Sequence, residues 1–473
     1  MKKFTKILLI GCLLVTVSCN NWLDVEPKSQ VKDKDLFASE MGFKEALSGV
    51  YSLMTKEALY GKELTFGWLG VLGQEWTSVP YNYEDDQKYD FENAASEVRI
   101  DSVWTGLYNA IANANKLLKE LEGKENLFSG DNYFIIKGEV LALRAYLHFD
   151  LLRIFGASCT VGMERIAIPY VTEYAPTIFP QEKVGDFVGK VLNDLQDAAK
   201  CLENDPILTG RTVSEIDDNG YLMNRQVHLN YYAVKGLMAR VYLYKGDYAN
   251  AEVCAKEVIG SGCFEWVKQE NLTNESVADL TFSTEHLFAL NIVTLGNIVD
   301  KYLDGGNNSF ALEESRLSEY YGSSYDYRYL YLFKTGVGMS NTLRYLKKYD
   351  QLESVSWALS YRNKLPLICL PEMYYILAEC RYHSSGDVLE PLNEVCRHRG
   401  VADLSEADLS AFETLLLAEY RKEVIGGGQL FFQYKRLNRS VVPGTDVDLA
   451  GEGRYVIPMP KEELENPGWV SNQ

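Results

Sequence analysis

Apolar residues along this chain recur mostly at three- and four-residue spacing, the pattern of helices that bury one side. From Ser102 to Leu121, Val103, Leu107, Ile111, Ala114 and Leu118 share a face with Trp104 and Tyr108 beside them, which predicts an amphipathic helix. Ile135 to Phe155 is richer, with Val140, Leu143, Leu147, Leu151 and Ile154 on one stripe and Gly156 placed to stop it. A helix so apolar is expected to be covered on most sides. Tyr231 to Ile259 reads as two helices joined at Gly246-Asp247, with Ala251, Cys254, Ala255 and Val258 inside the second. Pro371 to Arg399 repeats the plan around Gly386-Asp387. Small residues at helix crossings joined by Gly-Asp resemble tetratricopeptide-type hairpins, although no fixed period survives. Strand signal is confined to Leu287–Val293 and Tyr455–Met459. The fold class is therefore mainly α, with helix hairpins, minor strands and two long irregular excursions, residues 60–100 and 294–360. Such excursions on a helical scaffold are where binding usually resides.

The start of the chain changes the picture. Lys2, Lys3 and Lys6 precede an apolar stretch, Ile7 to Val17, too short at about 17 Å to span a hydrocarbon core of roughly 30 Å. It reads as a secretory signal. Thr16-Val17-Ser18-Cys19 resembles a lipoprotein box, so residues 1–18 are expected to leave and Cys19 to carry diacylglycerol plus an N-acyl chain, enough for stable anchoring. Residues 19–30 then form the lipidated cysteine and a polar tether, and 31–473 one helical domain. Losing three lysines deepens a formal charge of −19 by three, which disfavours nucleic acid and anionic lipid as partners. The 32 tyrosines supply broad contact faces with polar tips, a feature of extracellular binding surfaces. Seven cysteines remain beyond Cys12 and Cys19, an odd number suited to buried core thiols rather than a disulfide scaffold.

Segments along nearly the whole chain resemble the SusD/RagB family of outer-membrane nutrient-binding lipoproteins. They are Ser18-Cys19 with Trp22-Leu23-Asp24-Val25-Glu26-Pro27; Gly138 to Gly156, with its Arg144-Ala145 pair and closing Phe155-Gly156; Leu370 to Glu379 followed by Leu392 to Gly400; and Glu419 to Glu423 with Phe431 to Arg436 and Ile457 to Pro460. The resemblance implies a SusD-like helical fold, no catalytic machinery, and a SusC-like TonB-dependent outer-membrane transporter as partner, with the lipoprotein as a hinged lid. It also implies a nutrient ligand, a glycan or a peptide. This chain departs where relatives carry Glu-Gly-x-Arg and then an acid: Gly427-Gly428-Gln429-Leu430 and Gln433 stand there, so a family ion pair is absent. Ser158 to Arg165 also lengthens the loop before Ile168-Pro169.

A glycan site needs flat rings with amides and carboxylates at the rim. Trp68, Trp76, Tyr81 and Tyr83 in the first excursion, and Tyr320 and Tyr321 in the second, are the ligand-binding candidates, against the plainer reading that such rings pack loops onto the body. Trp104 and Trp266 lie in or beside helical patterns and are read as core. Glu215 to Gly220 mimics a calcium loop, but Gln226 at position 12 cannot close it. Cys380, His383, Cys396 and His398 fit no zinc spacing. No hydrolase or phosphate-loop motif occurs, and Gly336-x-Gly338 lacks a third glycine. No cofactor or metal is expected. The rival functions are a secreted helical scaffold for a protein partner and a polysaccharide hydrolase.

Overall fold

The computed structural model describes residues 34–209, 220–274, 277–306, 308–336, 342–351 and 362–472. Cys19 with its signal and tether, Glu215 to Asn219, and Gly338 lie outside them. In chain order the principal elements begin with α1 (Glu40–Met54), α2 (Ala94–Leu121), α3 (Asn132–Phe155), α4 (Val184–Cys201), α5 (Tyr231–Lys245) and α6 (Tyr248–Ile259). Then come β1 (His286–Asn291), α7 (Leu295–Tyr302), β2 (Leu312–Glu313), α8 (Glu314–Tyr321), β3 (Phe333–Thr335), β4 (Leu343–Leu346) and β5 (Lys364–Cys369). The last four are α9 (Leu370–His383), α10 (Leu389–His398), α11 (Phe412–Val424) and α12 (Leu430–Arg436).

Each long helix packs on its neighbour in the series: α1 on α2, α2 on α3, α3 on α4, α4 on α5, α5 on α6, α6 on α9, and α9 on α10 and α11. The two hairpins expected from the sequence, α5–α6 and α9–α10, are present and meet through α6 and α9. Gly246, at φ 81°, closes α5 in a left-handed conformation that a Cβ would disfavour, and the Asp247 side chain then accepts the Asn250 N–H at 3.2 Å to open α6. The α2 helix starts eight residues before the apolar pattern does, because the Asn93 side chain caps the N–H groups of Ala95 and Ser96 at 3.1 and 3.0 Å.

The expected Leu287–Val293 strand is β1, paired antiparallel with β5, which runs straight into α9. A second small sheet has the order β2-β4-β3. Tyr455–Met459 is not a strand. Pro458 and Pro460 cannot donate to a ladder, and the segment instead lies across the C-terminal end of α3, where Ile457 N–H donates to Ile154 O at 3.3 Å. That helix end would otherwise hold unpaired carbonyls. Buried Lys435 donates to Arg153 O and Ile154 O at 2.6 and 3.2 Å, and Asn472 to Phe155 O at 2.6 Å.

Nearly all of α3 is buried, as its composition implied, and its charged residues are matched by partners from other elements. Arg144 grips Asp194 of α4 with two bonds of 2.7 Å. Glu139 accepts from Arg225 at 2.6 Å and Asp150 from Tyr60 at 2.7 Å. The missing family ion pair has amide substitutes: Gln429 accepts from Arg153 at 3.0 Å, while Gln433 accepts from Arg436, whose fork also holds Glu379 at 2.6 and 2.8 Å. The lengthened loop docks on α12 through Thr160, which donates to Arg436 O at 2.7 Å.

Replacing Arg144 by Met strands the buried Asp194 carboxylate. Urea unfolding should show a loss of about 3–5 kcal/mol, the usual cost of removing one partner of a buried pair; a loss under about 1 kcal/mol would mean the pair does not hold α3 to α4.

Candidate functional site

The two excursions meet. Ser78 and Ala311 pair as antiparallel neighbours, with Ala311 O accepting the Thr77 and Ser78 N–H groups at 3.0 Å and Ser78 O accepting that of Ala311 at 3.0 Å. Thr77 Oγ1 then takes the Glu313 N–H at 2.7 Å. Phe310, next to this bridge, sits 5.1 Å from the Tyr83 ring, 5.9 Å from Phe66 and 6.0 Å from Trp76.

Four of the six candidate rings are therefore part of the packing. Trp68 is buried and its indole N–H donates to Asp86 at 2.9 Å. Trp76 is buried and donates to Phe66 O at 2.7 Å. Tyr83 is buried, donates to Glu63 at 2.8 Å, and has the Arg99 guanidinium 3.9 Å above its ring. Tyr321 is buried and donates to Lys422 O at 3.1 Å. Asp86 also accepts from Ser96 and Arg99; burial pushes its carboxyl up to about 6 against the opposing pull of Arg99. These rings and ions fasten the first excursion to α2 and to the second excursion.

The other two rings reach the surface. Tyr81 is 86% exposed on the turn that follows the bridge, with Asn82, Glu84 and Asp85 exposed beside it. Tyr320 is half-buried in α8, where Arg421 lies 4.2 Å over its ring. Arg421 also donates to Gln74 O at 3.0 Å, so α8, α11 and the start of the Thr77 segment are tied together. Around the bridge, exposed Thr77 and Glu313 add a hydroxyl and a carboxylate; Tyr81 follows Thr77 on the next turn, and Tyr320 lies in the helix that Glu313 leads into. Such groups can stack an apolar sugar face and bond its hydroxyls.

Two residues before Thr77 lies Glu75, buried, with Oε2 accepting the Gly426 N–H at 2.7 Å and no hydrogen-bond partner for Oε1 among the described residues. Burial pushes this carboxyl up to about 7, against the Gly426 bond and the charges of Arg421 and Lys348.

Trp104 is core, as expected, but Trp266 is not: it is half-buried and lines an open cleft with Tyr327 and His398. The ring follows α6 on a connecting segment, so helical periodicity carries no information about its direction. Cys380 and Cys396 are buried, while His383 stacks on Tyr248 at 3.9 Å and His398 on Trp266 at 4.7 Å. Among the described residues no group of three or more His, Cys, Asp or Glu side chains is arranged to hold a metal, and no helix is long and apolar enough to cross a membrane.

A family model described as "Starch-binding associating with outer membrane" matches residues 21–243, a stretch that contains Ser78, Tyr81 and all of α3. Over that stretch the chain resembles the SusD-like family. It is similar to the SusD-like protein P38 of Formosa agariphila, 24% identical over 269 residues that cover 56% of this chain and 47% of that protein. It is also similar to SusD-like protein P2 of the same organism, 26% identical over 167 residues, 33% of this chain and 30% of that one. The chain thus spans less than half the length of these curated relatives. Among solved structures, a SusD superfamily protein from Bacteroides thetaiotaomicron is 21% identical and matches with a TM-score of 0.74 over 92% of this chain and 100% of that one. A laminarin-binding SusD-like protein is 18% identical, with a TM-score of 0.65 over 91% and 100% of the two chains. The helical stack described above is the SusD-like fold.

Glu75→Gln keeps the bond to Gly426 N–H and removes a group that the fold prefers protonated. An unfolded glutamate ionises near 4.3, so the stability linked to protonated Glu75 is complete below that pH and is lost as pH rises through about 7. The variant's advantage in thermal unfolding over the parent should therefore grow between pH 5 and pH 8, by on the order of 2 kcal/mol. A pH-independent difference would contradict this placement of Glu75.

Proposed function

We propose that this SusD-like protein is an outer-membrane lipoprotein, anchored at Cys19 and facing outward, that captures a saccharide chain and delivers it to a SusC-like TonB-dependent transporter. The observation that carries the reading is the match to a starch-binding-associated family over a segment that includes the exposed Tyr81 turn. The laminarin-binding neighbour points the same way. Starch and laminarin are both glucose polymers, so a glucan is the first ligand to test.

The protein acts by capture and carries out no bond-breaking step. Its buried carboxylates support this: Asp86, Glu139, Asp194, Glu372 and Glu379 are engaged by arginines inside the fold rather than presented to a substrate. Delivery to a barrel rests on the family resemblance and on the anchor.

Titration calorimetry with maltoheptaose and with laminarin oligosaccharides should detect saturable binding of at least one. Tyr81→Ala should weaken that binding about fivefold, in line with the loss of one stacking ring, without changing thermal unfolding. Binding of neither glucan, with capture of defined peptides instead, would move the protein to a peptide-binding role. Cys19→Ala should release the protein from the membrane fraction; unchanged fractionation would rule out lipidation at that residue.

A further inference from the structure

The Trp266 cleft has the build of a binding site and is carried by other elements than the Tyr81 junction. Its aromatic wall is rigid. Trp266 and His398 stack with ring centroids 4.7 Å apart and planes within 9°, and the Arg399 guanidinium lies 5.3 Å from the indole. Beneath them, buried Glu285 accepts the Val267 N–H at 3.0 Å and both Nη groups of Arg399 at 2.9 and 2.6 Å. Tyr327 closes the cleft opposite. Its ring lies against Gly400, where a Cβ would come within 2.4 Å of Cε1 and where φ is +71°, so glycine is required for this placement. None of these supports needs a ligand, so the rings are held in place in advance.

The rim is chemically unspent. Glu265, Lys268 and Gln269 are exposed, and among the described residues their side chains make no hydrogen bond or ion pair. They offer an acceptor, a donor, and a group that is both. A pyranose ring presents an apolar C–H face and a hydroxyl edge, which this pairing of flat wall and mixed polar rim complements. A stable protein partner would bury about 800 Å² on each side, far more than eight lining residues supply.

We propose that the cleft between Trp266, His398 and Tyr327 is a second saccharide subsite that takes one pyranose ring of the glucan; this rests on the saccharide-binding reading above. The two places are mechanically joined. Tyr327 opens a helical turn whose Tyr329 donates to Glu314 at 2.9 Å, and Glu314 opens α8, which carries Tyr320. A glucan long enough to reach both gains affinity through effective concentration.

The five histidines make the test direct. In protein labelled with 13C-histidine, with the His398 Cε1–H signal assigned through His398→Asn, maltoheptaose or laminariheptaose should shift that signal saturably. Lys268→Ala and Gln269→Ala, which remove exposed and unpartnered groups, should each raise the concentration for half-saturation about five- to tenfold and leave thermal unfolding unchanged. Tyr81→Ala should leave the His398 response to maltotriose, too short to depend on two sites, unaltered. If calorimetry detects glucan binding while His398 does not move, the second subsite is wrong and the saccharide-binding reading survives. A shift indifferent to both rim substitutions overturns the subsite as well. Absence of both heat and shift with either glucan removes the subsite together with the reading it rests on, whereas a shift that persists with no effect of Tyr81→Ala on overall affinity keeps the subsite and removes the Tyr81 junction.

Discussion

The structure depends on buried guanidinium groups, each of which clamps two elements distant in sequence. Arg144 joins α3 to α4 through Asp194, Arg240 joins α5 to α9 through Glu372, and Arg436 joins α12 to α9 through Glu379. Arg225 is shared between Asp205 and Glu139, and Arg399 between Glu285 and Glu423. A guanidinium taken out of water is costly unless its donors are matched, and its planar fork accepts few geometries. Each clamp therefore penalises sliding or rotation of one helix against the next, because either motion leaves a buried charge unmatched. A helical stack fixed in this way can carry long excursions without being deformed by them.

The same physics governs the excursions. A connecting segment has few regular backbone bonds of its own, so side chains must fasten it. The tyrosine-rich composition supplies those fastenings: Tyr60 on Asp150, Tyr83 on Glu63 and Tyr302 on Glu57 each bury a ring and place the phenol on a carboxylate. Rings that looked like a binding surface by their number turn out to serve cohesion. What they achieve is a fixed pose for the few groups left outside, Tyr81 above all. Ligand recognition benefits when such groups need no ordering on binding.

The helices were legible in the sequence because burial on one side imposes a period near 3.6, and α3, α5, α6, α9 and α10 all stand where that period placed them. The first two turns of α2 were missed since Asn93 capping, not apolar spacing, creates them. The strands β2, β3 and β4 were missed because they are only 2, 3 and 4 residues long, too short to show an alternation, and β5 because its partner β1 lies on the far side of the second excursion. The site was half legible. The two excursions singled out in the sequence are joined by the Ser78–Ala311 bridge, but in irregular chain no period says which ring turns inward. Trp68, Trp76, Tyr83 and Tyr321 turned in, Tyr81 turned out, and Trp266, just past a helix, was wrongly assigned to the core by its neighbourhood.

Hydrogen–deuterium exchange with and without saturating glucan addresses the central claim, that a rigid helical stack presents fixed surface groups for capture. Slowed exchange is expected at residues 77–85, 313–321 and 265–269 and beside Tyr327 and His398, with α3, α4, α5 and α9 unchanged. Protection spread through those helices, or confined to a surface that includes none of the three segments, would contradict it.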